Sequence, residues 1–441
     1  MTAITNEGAA SEGTLVRAIG LWGLAAGIVN ITVGGGIFRL PSGAAAALGA
    51  AAPLAYLVCA VAMGLIVLCF ADAGSRVAMT GGPYAYVETA FGPYLGFLSG
   101  MLLWVGMTLA LSAVSSFFAD AIAAVVPSLP ARGRQLALVA TLALLTAANV
   151  RGVAGVTRFN IVATIAKLLP LLLLIVFGAL AMRTANLRWT TIPTGGAVAR
   201  ASLLLIFAFL GVEAALVPSG EVIDPARTVP RAIFSAMAAV AVLYIVIQVV
   251  AQGLLGDALA HDPTPLASAA AVAMGPSGRT LILVGSIISI FGYVSGMMLA
   301  VPRMLFAFAR DGFLPASLAR THARWHTPHV AIMTQAVIVA LLALFGNFEK
   351  LAVAANASVL LVYAACCLAA FELRRRNVRA GGVPFHVPAA RVVPWVALAV
   401  IAWMLSGVTR NEWLAALIIV LATTLAYGAS LPARRARATA A

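Results

Sequence analysis

The sequence predicts an all-α integral membrane protein with about twelve transmembrane helices, and its composition and its charge-free windows carry this prediction. Hydrophobic residues make up 63% of the chain and charged residues only 10%. Soluble domains are about half apolar and about a quarter charged. Windows without charges recur along the chain, each near the roughly 20 residues that a helix needs to cross a bilayer. No water-soluble fold could bury this much apolar surface, so we expect the chain to cross the membrane repeatedly.

The spans are predicted from apolar windows between charged residues, glycines and prolines. They cover residues 18–41, 48–72, 94–126, 135–150, 157–182, 200–222, 230–256, 278–308, 329–347, 350–372, 391–408 and 412–431. The stretches between them are too short for a separate domain, so we expect the function to lie within the membrane.

The basic residues predict the orientation. The formal net charge is +14, and most arginines stand at the ends of spans. Placing the tails 1–17 and 432–441 in the cytoplasm puts most of these arginines inside, as the positive-inside rule requires. Because they form no single basic domain, we expect no nucleic-acid partner, and the anionic leaflet of the inner membrane is their expected partner.

Cysteines and histidines give no sign of catalysis, a metal site or a cofactor. The cysteines lie inside apolar segments without paired loop spacing, and the histidines lie in loops or at span ends (Cys59, Cys69, Cys366, Cys367, His261, His322, His326, His329 and His386). An intramembrane enzyme needs a nucleophile and base, or metal ligands, within its spans. A channel needs a ring of like groups or a continuous polar pore. We therefore expect neither an enzyme nor a channel, and an intramembrane enzyme or a sensor is the non-transport alternative.

The first span contains three consecutive glycines, Gly34, Gly35 and Gly36, at mid-membrane depth. Each glycine costs about 1 kcal/mol of helix stability relative to alanine, so the run favours an unwound segment. Unwound backbone in a membrane is tolerated where it lines a cavity or is buried in protein. Amides that begin the second half-helix would then face a carboxylate, and carbonyls that end the first would face an ammonium. The alternative is close helix packing through small residues.

A second irregular site is predicted in the sixth span, where Gly211 and Glu213 share the middle of an apolar segment and Pro218 and Gly220 follow. Spans one and six occupy corresponding places in two halves of five spans. Paired interrupted helices at corresponding places are the best sequence indication of a transporter site.

Three ionisable residues lie within or near these spans. Lys167 stands deep in the fifth span, where an ammonium could take the place of a coupling sodium ion, could release its proton during transport, or could be a paired structural cation. Glu213 could carry a proton or could hold its half-helix through hydrogen bonds. Arg39 could attract a carboxylate, close an outer gate, or extend to the membrane interface.

Four stretches of the chain carry a resemblance to a known family: VGGGIF at 33–38, GGPYAY at 81–86, FAFLGVE at 207–213 with EVIDP at 221–225, and RDGFLP at 310–315. In this order, the chain resembles the amino acid, polyamine and organocation (APC) transporter superfamily over essentially its whole length. The resemblance implies a LeuT-like 5+5 inverted repeat with discontinuous helices 1 and 6. The first repeat would cover 18–182, the second 200–372, and helices 11 and 12 would cover 391–431.

The resemblance also implies the site residues. The amides of Gly35 and Gly36 would bind a carboxylate, and the carbonyls of Thr32, Phe207 and Leu210 would accept an α-ammonium. Gly35 stands where the family usually has serine, so only backbone donors remain there. The full expected substrate-binding set is Thr32, Gly34, Gly35, Gly36, Ile37, Phe207, Leu210, Gly211, Leu111 and Met297.

The resemblance further implies a substrate class. Lys167 matches the lysine of sodium-independent members, and Phe207 is expected to act as a lid, with a plain core role as the alternative. Leu111 and Met297 would make the side-chain pocket apolar, which favours neutral aliphatic amino acids over cationic ones because buried donors would stay unpaired. Tyr293 is expected to face Lys167 or to make an ordinary hydrogen bond between helices.

Together these observations predict a sodium-independent amino acid permease that works by alternating access. The coupling groups would be Lys167, Glu213 and Tyr293, and coupling could be to protons or by exchange. A cationic amino acid or polyamine antiporter is the alternative. The exact substrate and the oligomeric state stay open.

Overall fold

The computed structural model describes residues 20–77, 83–125, 128, 130–151, 156–189, 192–215, 222–379 and 384–438. Regular structure in these ranges is helical apart from one isolated bridge residue, Val222. The predicted tail 1–17, the glycines Gly81 and Gly82, and the segment from Pro218 to Glu221 lie outside the described residues, as do the last three residues of the predicted basic tail.

The helices follow one another in the following order. They are α1 (Leu21–Thr32), α2 (Gly36–Leu48), α3 (Ala52–Arg76), α4 (Pro83–Phe91), α5 (Pro93–Val125), α6 (Ala131–Arg151), α7 (Val156–Ala181), α8 (Gly195–Leu205), α9 (Val212–Ala215), α10 (Pro225–Leu255), α11 (Pro265–Arg310), α12 (His329–Phe345), α13 (Phe348–Arg375), α14 (Val393–Leu405) and α15 (Arg410–Ala438). Short tight helical turns, such as Ile206–Phe209, connect some of them.

The helices confirm the multi-pass membrane prediction. Within the described ranges, seven helical segments are long and apolar enough to cross a membrane, the first of which joins α2 and α3. Shorter apolar helices accompany them, including α1, α12 and α14. Each predicted span coincides with a helix or, for the first and sixth, with a broken one. The protein is therefore an all-helical multi-pass membrane protein.

Helix α11 is longer than its predicted span 278–308 because it begins before a kink. The kink lies at Gly275, whose φ of 72° requires a residue without a Cβ, and Pro276 follows it. The predicted span therefore corresponds to the part of α11 after the kink.

The interior of the bundle is built by long helices packed around the first and sixth spans. Helix α13 packs along α5 and also against α3 and α4, while α10 packs against α1 and α3 and α11 packs against α5 and α7. Tyr56, Tyr244, Tyr363 and Phe209 are among the largest side chains that are fully buried there. This packing places both predicted helix breaks inside protein, away from lipid.

Candidate substrate site at two broken helices

The first break separates α1 from α2, as the glycine run predicts. Helix α1 ends at Thr32, and Gly34 donates its N–H to the Thr32 carbonyl at 2.8 Å. Helix α2 begins at Gly36, and among the described residues no side chain caps it at Gly35. The first amides of a helix have no partner within that helix. Among these first amides, that of Phe38 donates to the Gly35 carbonyl at 3.2 Å, so those of Gly36 and Ile37 are the backbone donors left at this helix start.

Neighbouring side chains explain why glycines stand here. A Cβ added to Gly34 would lie 3.2 Å from a ring carbon of Tyr293, and one added to Gly36 would lie 3.1 Å from a ring carbon of Phe207. A Cβ at Gly35 would lie 3.0 Å from side-chain carbons of both Ile290 and Val114. Any side chain at these three positions would push against α5, α11 or the second broken helix.

The second break lies between α8 and α9, as predicted. Helix α8 ends at Leu205, and a tight turn over Ile206–Phe209 leads to Leu210, which is extended. Gly211 has a φ of 118°, a conformation that side chains rarely adopt. A Cβ there would also lie 2.7 Å from the Ile31 side chain. The two breaks therefore touch each other.

Glu213 closes the second break with hydrogen bonds. Its carboxylate oxygens accept the Gly211 N–H at 3.1 and 3.0 Å, and Tyr363 of α13 donates its hydroxyl to Oε2 at 2.7 Å. The side chain is buried. A carboxylate of the protein thus holds the start of α9, as one of the two alternatives for Glu213 predicts.

Two donors reach the carbonyls that end α1. The Lys167 ammonium of α7 donates to the carbonyl of Asn30. The Tyr244 hydroxyl of α10 lies 3.0 Å from both the Thr32 carbonyl and the Ala208 carbonyl. Thr32 also accepts the Gly34 N–H. Because the one hydroxyl proton of Tyr244 is shared between two carbonyls, the Thr32 carbonyl keeps capacity for a further donor. Sequence reasoning missed Tyr244; the available signal was a phenol within the predicted span 230–256, which also holds Gln248 and Gln252.

A small cavity lies where the two breaks meet. Its lining residues are Ile31, Gly106, Met107, Ala110, Leu210, Gly211, Glu213, Tyr293, Met297 and Val359. Its volume of about 20 Å³ accommodates roughly one water molecule. A solute larger than a few atoms could therefore enter only if the walls of the cavity moved apart.

The structure brings together some of the predicted site residues and not others. Leu210, Gly211, Met297, Glu213 and Tyr293 line the cavity. The other predicted residues are buried outside its lining: Thr32, Gly34, Gly35, Gly36, Ile37, Leu111 and Phe207. The Phe207 ring packs edge-on against Phe348 with its centroid 5.5 Å away, so it fills space beside the glycines at the start of α2.

Polar contacts from α2 and α13 hold the surroundings of the site. Arg39 of α2 donates to the carbonyls of Asp262 at 3.4 Å and Pro263 at 2.8 Å, just before α11. Asn356 of α13 donates to the Leu203 carbonyl at 2.6 Å, near the end of α8. Within the ranges the structure describes, His, Cys, Asp and Glu side chains form no group of three or more that could hold a metal ion.

Comparison with known proteins decides the family. A sequence profile described as amino acid permease matches residues 19–429, nearly the whole chain. The chain belongs to the amino acid permease family. Among its relatives, the permease is 29% identical to the methylthioribose transporter of Bacillus subtilis over 94% of this chain and 93% of the relative.

Two further relatives from the same organism carry amino acid names. The permease is 27% identical to the serine/threonine exchanger over 84% of this chain and 87% of the relative. It is 26% identical to the branched-chain amino acid permease over 94% of each chain. The family assignment confirms the resemblance to APC transporters, and these named relatives are all transporters.

Proposed function

We propose that the permease carries neutral, aliphatic amino acids across the inner membrane by sodium-independent alternating access. The observation that carries this proposal is the first break, where uncapped amides at the start of α2 lie beside the carbonyls that end α1. The start of a helix favours a carboxylate and the end of a helix favours a cation. One zwitterionic backbone matches both ends at once.

The apolar side of the cavity supports the choice of side chain. Met107, Ala110, Met297 and Val359 line it, and Glu213 is the one charged residue among the described lining residues. Its carboxylate already accepts hydrogen bonds from Gly211 and Tyr363. A guanidinium or a second ammonium would find few free acceptors, and each unpaired buried donor costs about 1 to 3 kcal/mol. A neutral side chain carries no such cost.

The proposed architecture is twelve spans, with both termini cytoplasmic. In this proposal 18–182 and 200–372 are two inverted five-helix repeats that move against each other, and 391–431 stands outside them. The paired breaks in the first and sixth helical segments support it, because inverted-repeat transporters place discontinuous helices at corresponding positions.

Lys167 and Glu213 are the proposed coupling groups. The Lys167 ammonium reaches the end of α1, where a fixed positive charge takes the place of a sodium ion. If this charge is permanent, the permease is an exchanger or a uniporter; if Lys167 or Glu213 titrates during transport, it is a proton symporter. The serine/threonine exchanger among the relatives supports exchange over proton symport.

A second candidate substrate is methylthioribose, which one relative's name indicates. A sugar has neither a carboxylate nor an ammonium, so it would leave the helix ends at the first break without charged partners. We therefore favour amino acids over methylthioribose as the substrate.

Transport into proteoliposomes tests the proposal. Purified permease is reconstituted, and uptake of labelled leucine, alanine, serine, arginine, putrescine and methylthioribose is measured with and without internal leucine, a proton gradient or sodium. We expect leucine or alanine uptake without sodium, driven by internal substrate or by protons. Uptake of arginine, putrescine or methylthioribose alone would contradict the proposal.

A further inference from the structure

A groove runs between α6 and α12, separate from the cavity at the broken helices. Its volume is about 570 Å³, within the range of roughly 300 to 1,000 Å³ that is usual for ligand pockets. The groove is deep because three of its lining residues have small side chains: Ala143 and Ala147 of α6 and Ala336 of α12. One wall is formed by the exposed side chains of Met333 and Val337. Both helices are apolar, so the length of the groove suits a hydrocarbon chain.

One end of the groove is basic and aromatic. Arg151, the last residue of α6, lines it together with Trp325 from the loop before α12. The guanidinium carbon of Arg324 lies 5.9 Å from the centre of the Trp325 ring. Tryptophan is enriched where a membrane meets water, at the depth of lipid headgroups. The groove thus changes from apolar to cationic over its length.

Hydrogen bonds fix this end in place. Thr327 donates its hydroxyl to the Val150 carbonyl at 2.6 Å, which ties the loop to the last turn of α6. The His322 N–H donates to the Thr327 carbonyl at 2.8 Å, and the His322 ring stacks on Trp325 with centroids 4.2 Å apart. Trp325 is therefore held at the end of the groove that Arg151 lines, with Arg324 next to its ring.

We propose that this groove binds one anionic phospholipid, with an acyl chain between α6 and α12 and the phosphate between Arg151 and Arg324. Guanidinium groups match phosphate oxygens with paired hydrogen bonds. No acidic residue is among the described residues that line the groove. An anion from outside the chain would therefore match Arg151 in the lining and Arg324 beside the Trp325 ring.

A second copy of the chain fits this groove less well. In a two-fold interface the same patch meets itself, which would bring Arg151 and Arg324 of both copies together without a carboxylate between them. Anionic lipid, unlike a second copy, supplies the missing charge. The site is independent of the proposed substrate, so lipid binding can be tested without measuring transport.

Native mass spectrometry of the purified full-length chain tests the proposal, with dioleoyl phosphatidylglycerol and dioleoyl phosphatidylcholine as probes. We expect one phosphatidylglycerol to bind in preference to phosphatidylcholine. Arg151→Gln and Arg324→Gln should each weaken phosphatidylglycerol binding about fivefold, the effect of one basic residue near a lipid surface. Arg320→Gln, an exposed change in the same loop but outside the groove, is the matched control and should bind as wild type does.

A second variant tests the tail half of the site. Ala143→Phe, a change at an exposed position, fills the groove and should reduce binding of both lipids while both arginines remain; its melting temperature in detergent checks the fold. Equal binding of the two lipids by wild type, or an Arg320→Gln effect as large as that of Arg151→Gln, would overturn the proposal. So would a monomer–dimer equilibrium that Ala143→Phe shifts without changing lipid binding, because it would indicate a second copy in the groove.

Discussion

The break between α1 and α2 and the break between α8 and α9 differ in what meets their backbone amides. At the second break the protein supplies its own anion, because Glu213 accepts the Gly211 N–H with both carboxylate oxygens. At the first break Gly35 and Gly36 begin α2, and no side chain of the described residues caps it. The two similar interruptions therefore differ in their amides: a carboxylate of the protein meets them at the second break, and none of the described side chains does so at the first.

The difference indicates which break binds the ligand. An anion at a helix start stabilises it through the exposed amides and the helix dipole. The start of α9 already has such an anion, so a substrate carboxylate gains little there. The start of α2 has none among the described residues, and its glycines carry no side chain of their own that would cover the amides. We infer that the first break binds the substrate carboxylate. The second break, already held by Glu213, supports the site without binding that carboxylate.

The largest effect is expected from a side chain placed on the first break. Gly35→Leu would push its Cβ and the rest of its side chain into Ile290 and Val114 and cover the amides. We expect loss of measurable leucine uptake in proteoliposomes. Gly27→Ala is the matched control, since a Cβ at Gly27 meets no atom within 4 Å. Normal uptake by Gly35→Leu would show that this break does not bind substrate.

Removing the cation at the end of α1 should have the next largest effect. Lys167→Ala deletes the donor to the Asn30 carbonyl, so we expect a strongly reduced maximal uptake rate and a changed pH dependence of transport. Lys350→Ala removes an exposed lysine at the start of α13 and should transport as wild type does. Unchanged kinetics and pH dependence in Lys167→Ala would exclude a coupling role for this lysine.

The second break should respond to loss of its charge. Glu213→Gln keeps an acceptor for Gly211 and Tyr363 but makes it neutral, and hydrogen bonds to charged groups are worth more than neutral ones, by about 1 kcal/mol. We expect a lower melting temperature and reduced leucine uptake, with a smaller loss of uptake than in Gly35→Leu. Equal losses of uptake in the two variants would remove the distinction between the breaks.

The smallest effect is expected from the link between the breaks. Tyr244→Phe removes the hydroxyl that contacts Thr32 and Ala208, at a cost of about 1 kcal/mol, or roughly a fivefold change in leucine affinity. Tyr56→Phe is the matched control, because the neighbouring Tyr56 hydroxyl has no hydrogen-bond partner within the described part of the chain. If both variants behave alike, the link has no role in binding.

Sequence reasoning located the helices and both breaks because their signals are local. Charge-free windows mark the spans, and the glycines at 34–36 and 211 mark the interruptions. The depth of Lys167 in its span marked it as a candidate, and the structure shows that it donates to the Asn30 carbonyl near the end of α1. The predicted first span stopped at 41, whereas α2 continues through Pro41 to Leu48. Pro41 lies in the second turn, where it removes one backbone donor without ending the helix.

The partners across helices could not be predicted, because they depend on how each helix is rotated about its axis. Tyr244 and Tyr363 are single tyrosines in apolar spans, and nothing in the sequence indicates that one contacts Thr32 and the other Glu213. For the same reason Leu111 was expected in the pocket wall, whereas it is fully buried outside the cavity lining.

Competition between leucine analogues tests the central claim most directly. Uptake of labelled leucine by wild-type proteoliposomes is measured with unlabelled leucine, leucinamide or isocaproic acid as competitors. Leucinamide lacks the carboxylate that should meet the amides of α2, and isocaproic acid lacks the ammonium that should meet the carbonyls ending α1. We predict that leucine competes well and that each analogue competes at least about tenfold more weakly, as expected when a buried polar partner is lost. Leucinamide that competes as well as leucine would contradict recognition of a carboxylate at the first break.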